Sequence, residues 1–290
     1  MCDENFEHDL ENYARFPALT RRQLGAVSLG AGMTFLLPRA ADAQAVKESD
    51  VTIKTPDGEC DAYFVHPASG ASAAVIVWPD ILGLRPAFRQ MGKRLAESGY
   101  AVLTVNPFYR QKKAPVVPAG ASFADQATRD VVMPLAQALN ATTHVTDAKA
   151  FVAWLDGQTA VDKRRKIGTT GYCMGGPIVM RTAATVPERI GAGASFHGGG
   201  LVTKEPSSPH LLVPTMKAHF LFAVADNDDK RDPTAKDVLK DTYAAAKLPA
   251  EIEVYAAAHG WCPPDSAVYD EKLAERAWAR LLVLFKTALA

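Results

Sequence analysis

The sequence has little cysteine, no net charge and no long hydrophobic run. It contains 4 cysteines in 290 residues, and no two of them form a C-x-x-C pair, so nothing points to a zinc ribbon or a dithiol oxidoreductase. Lys plus Arg and Asp plus Glu number 32 each, which excludes a general electrostatic attraction to nucleic acid or anionic lipid. No phosphate-binding glycine loop and no metal-ligand motif occurs, so no cofactor and no metal are predicted. We expect a small-molecule partner and no nucleic acid.

The first 45 residues differ in pattern from the rest of the chain. Arg21 and Arg22 precede an apolar run from Leu24 to Leu37, which at about 14 residues is shorter than the roughly 20 needed to cross a bilayer. The Ala-Gln-Ala sequence at 43–45 is a candidate cleavage site. This pattern resembles a twin-arginine (Tat) export signal, so we expect cleavage, export to the periplasm and no stable membrane insertion afterwards. The alternative is a helix that stays attached as a membrane tether.

Residues 46–290 alternate between strand patterns and helix patterns. Short apolar runs typical of buried strands are followed by segments with apolar residues at helical spacing. After a hairpin with its turn at 56–58, strands are predicted at 73–79, 100–107, 166–172, 190–198, 218–226 and 251–257, and helices before Gly99, over 144–158, from about 174, over 233–247 and near the C-terminus. This alternation predicts one α/β domain, with a mostly parallel central sheet and helices on both faces.

A cysteine stands between a predicted strand and a predicted helix in the sequence GYCMGG, residues 171–176. The pattern G-x-C-x-G is that of a nucleophile elbow, with Cys173 in the central position. The glycines permit the unusual backbone angles and the close approach of strand and helix. The helix N-terminus would stabilise a thiolate. The alternative is a buried, inert cysteine on a glycine-rich turn.

Partners for this nucleophile follow in the order acid and then histidine, as in α/β hydrolases. His259 comes directly after the predicted strand at 251–257 and is the candidate base. Three carboxylates, Asp226, Asp228 and Asp229, follow the strand at 218–226. We favour Asp228 as the residue that orients the histidine, and the other two as solvated turn residues or helix caps.

Together, the sequences GYCMGG, AHG and WPDILGL resemble the dienelactone hydrolase family over essentially all of residues 46–290. The resemblance implies an α/β-hydrolase fold and a Cys-His-Asp triad. It also implies that Asp80, where the family has glutamate, contacts the resting thiol and modulates its ionisation; the alternative is a loop aspartate that faces solvent. Arg110 matches a substrate-side arginine of the family. A second family arginine, shortly after the histidine, is replaced by Pro263 here, which leaves the substrate open.

Further residues complete the predicted site. The N–H of Met174, next to the nucleophile, and the N–H of Ile81, after the first long strand, are the expected oxyanion hole. Tyr109 beside Arg110 and the aromatic ring of Trp261 are expected to contact substrate. The run FHGGG at 196–200 is interpreted as a glycine-rich strand end near the site.

These observations predict a cysteine-dependent hydrolase of small esters or lactones that works through a thioester, without a cofactor or a metal. One alternative is a broader carboxylesterase or a peptidase of the same fold, which a lid formed by the Ala- and Pro-rich stretch 111–140 would permit. Another is a non-catalytic binding or redox-sensing protein that uses Cys173 as an oxidisable thiol. Cys60 and Cys262 are expected to stay reduced, although an oxidising compartment would allow them to pair.

Overall fold

The computed structural model describes residue 37 and residues 43–290. The predicted leader therefore lies outside the described residues, except for Leu37 and residues 43–45. Among the residues that are described, no helix is long and apolar enough to cross a membrane.

One sheet of eight strands organises the described residues, in the order β1-β2-β4-β3-β5-β6-β7-β8. The pairs β1–β2 and β2–β4 are antiparallel, and all the other neighbours are parallel. The inner strands are buried along almost their whole length because helices cover both of their faces. The strands are β1 (Val46–Thr55), β2 (Gly58–Pro67), β3 (Ala74–Trp78), β4 (Ala101–Val105), β5 (Ile167–Tyr172), β6 (Ile190–Phe196), β7 (His219–Ala225) and β8 (Ala250–Tyr255).

Helices pack on both faces of this sheet and create two apolar cores. The helices are α1 (Pro86–Glu97), α2 (Gln126–Gln137), α3 (Ala141–Asp156), α4 (Gly175–Thr185), α5 (Asp226–Arg231), α6 (Ala235–Ala245) and α7 (Glu271–Ala288), with a 3-10 helix at Pro209–Thr215. Side chains of α3, α4 and α6 bury into one core, and side chains of α1 and α7 bury into the other. The predicted fold class, a mostly parallel sheet with helices on both faces, is confirmed.

Local hydrogen bonds explain where the observed elements differ from the predicted ones. Helix α3 begins at Ala141, earlier than predicted, because the Asn140 side chain caps it by accepting from the backbone N–H groups of Thr142 and Thr143. The stretch 111–140 contains helix α2, which the apolar pattern did not reveal. Its apolar side chains form a third cluster with Ile81 and Phe108, so this stretch covers the loop after β3.

Parallel strands bring their carboxyl ends to one edge of the sheet, where the predicted site residues follow. Cys173 comes after β5, Asp228 after β7 and His259 after β8. Ligand sites of open α/β sheets lie at this edge. The topology therefore brings the predicted triad together from three separate segments of the chain.

Candidate active site

Cys173 occupies a tight turn between β5 and helix α4. Its φ angle is 52°, in the left-handed region that non-glycine residues rarely adopt. The Cys173 N–H donates to the carbonyl of Phe196 at 3.0 Å, and the Cys173 carbonyl accepts from the N–H of Gly176 at 3.0 Å. The turn leaves the side chain half-buried at the first turn of α4. Such strained positions cluster at functional sites.

The three glycines around Cys173 are needed because other backbone atoms come close. A Cβ at Gly171 would lie 2.3 Å from the carbonyl oxygen of Gly175, and a Cβ at Gly175 would lie 2.5 Å from that of Trp78. At Gly176 the added atom would lie 2.5 Å from Ser195 Oγ. Strand β5, helix α4 and the end of β3 therefore approach each other more closely than any side chain permits.

His259 is buried and fixed by two hydrogen bonds to helix α5, which directly follows β7. Its Nδ1 lies 2.7 Å from Asp228 Oδ2, and its backbone N–H donates to Asn227 Oδ1 at 2.8 Å. The other oxygen of Asp228 accepts from Arg231 Nη2 at 3.1 Å. Asp226 and Asp229 instead pair with Lys230 and Lys236. Of the three candidate carboxylates, only Asp228 forms a hydrogen bond with the imidazole of His259.

The imidazole of His259 also interacts with Cys173. Burial opposes its protonation, but the negative charges of Asp228 and Cys173, with a hydrogen bond to each, outweigh burial and raise the pKa of His259 well above its ordinary value. Cys173, His259 and Asp228 thus form one connected chain of side chains. This arrangement can hold an imidazolium between a thiolate and a carboxylate.

The N–H groups of Met174 and Ile81 are the predicted oxyanion hole. Met174 and Ile81 belong to the same apolar cluster, and Gly175 of α4 packs against the carbonyl at the end of β3. Neither the Met174 N–H nor the Ile81 N–H donates a hydrogen bond within the described residues. An oxyanion requires donors that are free to bind it, and among the described residues these two are.

Asp80 binds an arginine rather than the thiol. Its two carboxylate oxygens accept from Arg85 Nη1 at 2.6 Å and Arg85 Nη2 at 2.9 Å, and Oδ1 also accepts from the Leu82 N–H at 2.9 Å. No hydrogen bond joins Asp80 to Cys173 in the part of the chain that the structure describes. In this arrangement the carboxylate binds Arg85 and the Leu82 N–H in place of the predicted contact with the resting thiol.

Tyr109 and Arg110 are engaged in contacts within the protein. Tyr109 Oη lies 2.8 Å from Thr55 Oγ1 and donates to Asp147 Oδ1 at 2.8 Å. Arg110 donates to Asp57 through Nε and Nη2, and to Asp147 through Nη1 and Nη2. These residues tie the hairpin of β1 and β2 to helix α3. In this structure the guanidinium is not available to the predicted substrate anion, because its Nε, Nη1 and Nη2 all donate to Asp57 or Asp147.

A stack of rings lies behind His259, and the sequence analysis missed its central member. His197, which follows β6, is 1% exposed and has a φ of 41°. Its ring meets those of His259 and Trp261 edge-on, with centroids 4.9 Å and 5.2 Å away. Trp261 is fully buried and stacks on Tyr255, so it supports this ring stack instead of facing open space. The histidine in FHGGG, directly after a strand, was the available signal.

His197 stays neutral in this position. Burial, followed by the charge of the neighbouring His259, lowers the pKa of His197 well below its ordinary value. Its two ring nitrogens have no hydrogen-bond partner among the described residues. Of the two adjacent imidazoles, His259 is therefore favoured in its charged form and His197 in its neutral form.

The other described cysteines differ from Cys173 in burial. Cys60 and Cys262 are buried free thiols in opposite cores of the sheet, and burial raises the pKa of each. A thiol of this kind is unreactive. No group of His, Cys, Asp and Glu side chains in the described ranges is arranged to hold a metal ion.

Comparison with known proteins gives consistent matches along most of the chain. The family model described as "Dienelactone hydrolase family" matches residues 60–289. A protein of Methylorubrum extorquens, named as a candidate carboxymethylenebutenolidase, is 28% identical, with 97% of each chain covered. The carboxymethylenebutenolidase of Rhodococcus opacus is 26% identical over 66% of this chain and 71% of its own.

A solved structure has the same fold. The crystal structure of a candidate dienelactone hydrolase from Klebsiella pneumoniae superposes with a TM-score of 0.71 and 22% identity. The match covers 84% of this chain and 99% of that one. This likeness identifies the α/β-hydrolase architecture predicted from the sequence.

Proposed function

The chain belongs to the dienelactone hydrolase family, and from this premise we propose that it hydrolyses small esters or lactones through a thioester on Cys173. The observation that carries the proposal is the connected chain of Cys173, His259 and Asp228 at the carboxyl edge of the sheet. A histidine of raised pKa in contact with the thiol can accept the thiol proton, which leaves a thiolate beside an imidazolium. The N-terminus of α4 adds a favourable dipole.

The first half of the reaction forms the thioester. Attack of the Cys173 thiolate on the carbonyl carbon forms the C–S bond and moves the carbonyl electron pair onto oxygen. The N–H groups of Met174 and Ile81 are the proposed donors to this oxyanion. When the electron pair returns, the bond to the leaving oxygen breaks, and the His259 imidazolium gives its proton to the departing alkoxide.

The second half releases the acid. A water molecule attacks the thioester carbonyl while neutral His259 accepts its proton. Collapse of this second tetrahedral intermediate expels the thiolate and releases the carboxylic acid, so that the imidazolium and thiolate of the resting site are restored. Asp228 holds the imidazole through Nδ1 in both halves and stabilises its charge.

Cysteine suits substrates with good leaving groups. Its thiolate attacks without a strong base, whereas a serine hydroxyl needs one in the same step. This property favours activated esters and strained lactones, in which expulsion of the alkoxide is easy. The proposed substrate class follows from this chemistry.

The test is turnover of p-nitrophenyl acetate by freshly reduced protein, with Cys173→Ala and Cys173→Ser beside the wild type. We expect wild-type turnover, none above background for the alanine variant, and little for the serine variant. Cys262→Ala, at a buried thiol in the core, is the control and should keep turnover in its folded fraction. Turnover that survives in Cys173→Ala would refute the proposal. An inactive wild type with a reversibly oxidised Cys173 would favour the redox-sensing alternative.

We also propose that residues 1–45 direct export through the Tat pathway and are then removed. The paired arginines, the short apolar run and the small-x-small sequence support this proposal. Strand β1 begins at Val46, directly after the expected cleavage site.

A further inference from the structure

Arg85 is a buried arginine that joins two loops of the site. It lies between β3 and α1 and is 8% exposed. Its Nη1 and Nη2 donate to Asp80, as described above. Its Nε donates to Asp265 Oδ2 at 2.6 Å, and its Nη2 donates to Asp265 Oδ1 at 2.9 Å. Burial opposes the charge, but the two carboxylates raise the pKa of Arg85 above its ordinary value, so it remains a cation.

The two carboxylates belong to different parts of the proposed machinery. Asp80 directly precedes Ile81, the proposed oxyanion donor, and its side chain also holds the Leu82 N–H. Asp265 lies in the loop between β8 and α7, which carries His259. We call residues 79–85 the oxyanion loop and residues 256–270 the histidine loop. The single guanidinium of Arg85 connects these two loops through a bidentate contact with a carboxylate of each.

A third contact leads to the nucleophile turn. The Arg85 guanidinium lies 4.9 Å from the centroid of the Phe88 ring. The Phe88 ring packs edge-on against Tyr172, with centroids 5.3 Å apart, and Tyr172 directly precedes Cys173. Arg85 thus touches, directly or through one ring, all three segments that carry the proposed chemistry.

We propose that Arg85 is a positioning residue that holds the Ile81 N–H in register with Cys173 and His259 by bridging Asp80 and Asp265. This inference rests on the proposed function. Oxyanion donors act because they are fixed before the charge develops, and a displacement of about 1 Å can cost on the order of a hundredfold in rate. Asp265 supplies the anchor outside the loop, so Asp80 and Arg85 alone would not set the distance to His259.

The test compares Arg85→Gln, Asp265→Asn and the double variant with a matched control. Arg94 provides the control because it forms a buried, bidentate pair with Glu275, between α1 and α7. Among the described residues, its side chain makes no hydrogen bond or ion pair with Asp80, Asp265 or either of their loops. We expect Arg85→Gln and Asp265→Asn each to lower kcat by about tenfold or more, with KM changing far less. The double variant should be no worse than Arg85→Gln alone, since both changes break one bridge. Arg94→Gln should lower stability and leave kcat unchanged in the folded protein.

Two further readouts separate positioning from a general structural role. Alkylation of Cys173 by iodoacetamide needs the thiolate but forms no oxyanion, so its rate should be unchanged in Asp265→Asn. Hydrogen exchange of the amides in 79–85 should become faster in Asp265→Asn and Arg85→Gln, and not in Arg94→Gln. This second readout does not depend on turnover.

The outcomes distinguish failure of this inference from failure of the proposed function. Wild-type kcat in Asp265→Asn, or unchanged exchange in 79–85, would overturn the inference. Equal loss of alkylation and turnover in Asp265→Asn would overturn it as well, because the variant would then act on the thiol. An inactive wild type would refute the proposed function, while hydrogen exchange would still decide whether the bridge holds the loop.

Discussion

At the scale of single residues, three neighbouring aspartates have different environments. Asp228 is 8% exposed and binds both His259 and Arg231, whereas Asp226 and Asp229 pair with Lys230 and Lys236 nearer the surface. Ion pairs near the surface contribute little to stability. Sequence position alone favoured Asp228 without excluding the others, because all three follow the same strand.

Asp228→Asn keeps the shape of the side chain but removes its charge. We expect kcat for p-nitrophenyl acetate to fall about a hundredfold or more, because the imidazolium loses its carboxylate and the histidine tautomer is no longer fixed. Asp226→Asn and Asp229→Asn are matched controls, with kcat expected within about twofold of wild type. An unchanged kcat in Asp228→Asn, or an equal loss in a control, would contradict the assignment.

The raised pKa of His259 also predicts how stability depends on pH. A group whose pKa is higher in the folded state stabilises that state fully below its unfolded pKa, about 6.5 here, and the contribution is lost as pH rises through the folded pKa. Asp228→Asn removes a main cause of the raised pKa. The Tm difference between wild type and this variant should therefore be largest near pH 6 and shrink towards alkaline pH. A Tm difference that grows as the pH rises would contradict the raised pKa of His259.

At the scale of elements, the strand, turn and helix around Cys173 depend on close packing of backbone. Gly171→Ala would bring a Cβ to 2.3 Å from a carbonyl oxygen of α4, so the helix must shift. We expect a loss of about 3 kcal/mol in the free energy of unfolding, measured with urea, together with lost turnover. Gly120→Ala is the control: its φ of 78° is left-handed but no atom lies within 4 Å, so the cost should be about 1 kcal/mol. Equal losses in both variants would contradict the packing argument.

Elements with strong periodicity could be predicted, and those set by local polar contacts could not. Apolar runs identified β3, β4 and β7 because these strands are largely buried on both faces, and β5 and β6 fit the alternation of strands and helices around them. Helix α5 escaped prediction because Asp226–Arg231 contains no apolar residue to reveal a period. Helix α2 lies in an Ala- and Pro-rich stretch with Pro134 inside it, which masks the pattern.

At the scale of the whole molecule, the grouping of the three candidate triad residues could be predicted because it follows strand order, but the ion-pair partners could not. Cys173, His259 and Asp228 each follow a recognisable strand, so topology collects them. Asp80 and Arg110 were expected to serve thiol and substrate. Asp80 instead binds Arg85, five residues along the chain, and Arg85 is held in turn by Asp265. Arg110 binds Asp147. The contacts with Asp265 and Asp147 join residues distant in sequence, which no local pattern encodes.

The proposed leader makes a prediction for the intact chain. We expect the full-length protein in the periplasmic fraction of a Tat-competent bacterium, with a mature N-terminus after Ala45 by peptide sequencing. The double variant Arg21→Lys, Arg22→Lys should remain in the cytoplasmic fraction, because the paired arginines are the export signal. Export of that variant to the same extent, or an uncut N-terminus in the membrane fraction, would favour the tether instead.

The central claim is that Cys173 becomes acylated during turnover. The most direct measurement is rapid acid quenching of residues 46–290 with p-nitrophenyl acetate, followed by mass spectrometry of the proteolytic peptides. The account predicts an acetyl group on the peptide that holds Cys173, released by hydroxylamine and longer-lived in His259→Ala, which lacks the base for the water step. Turnover without acetylated Cys173, or an acetyl group on another residue that forms and decays at the turnover rate, would contradict it.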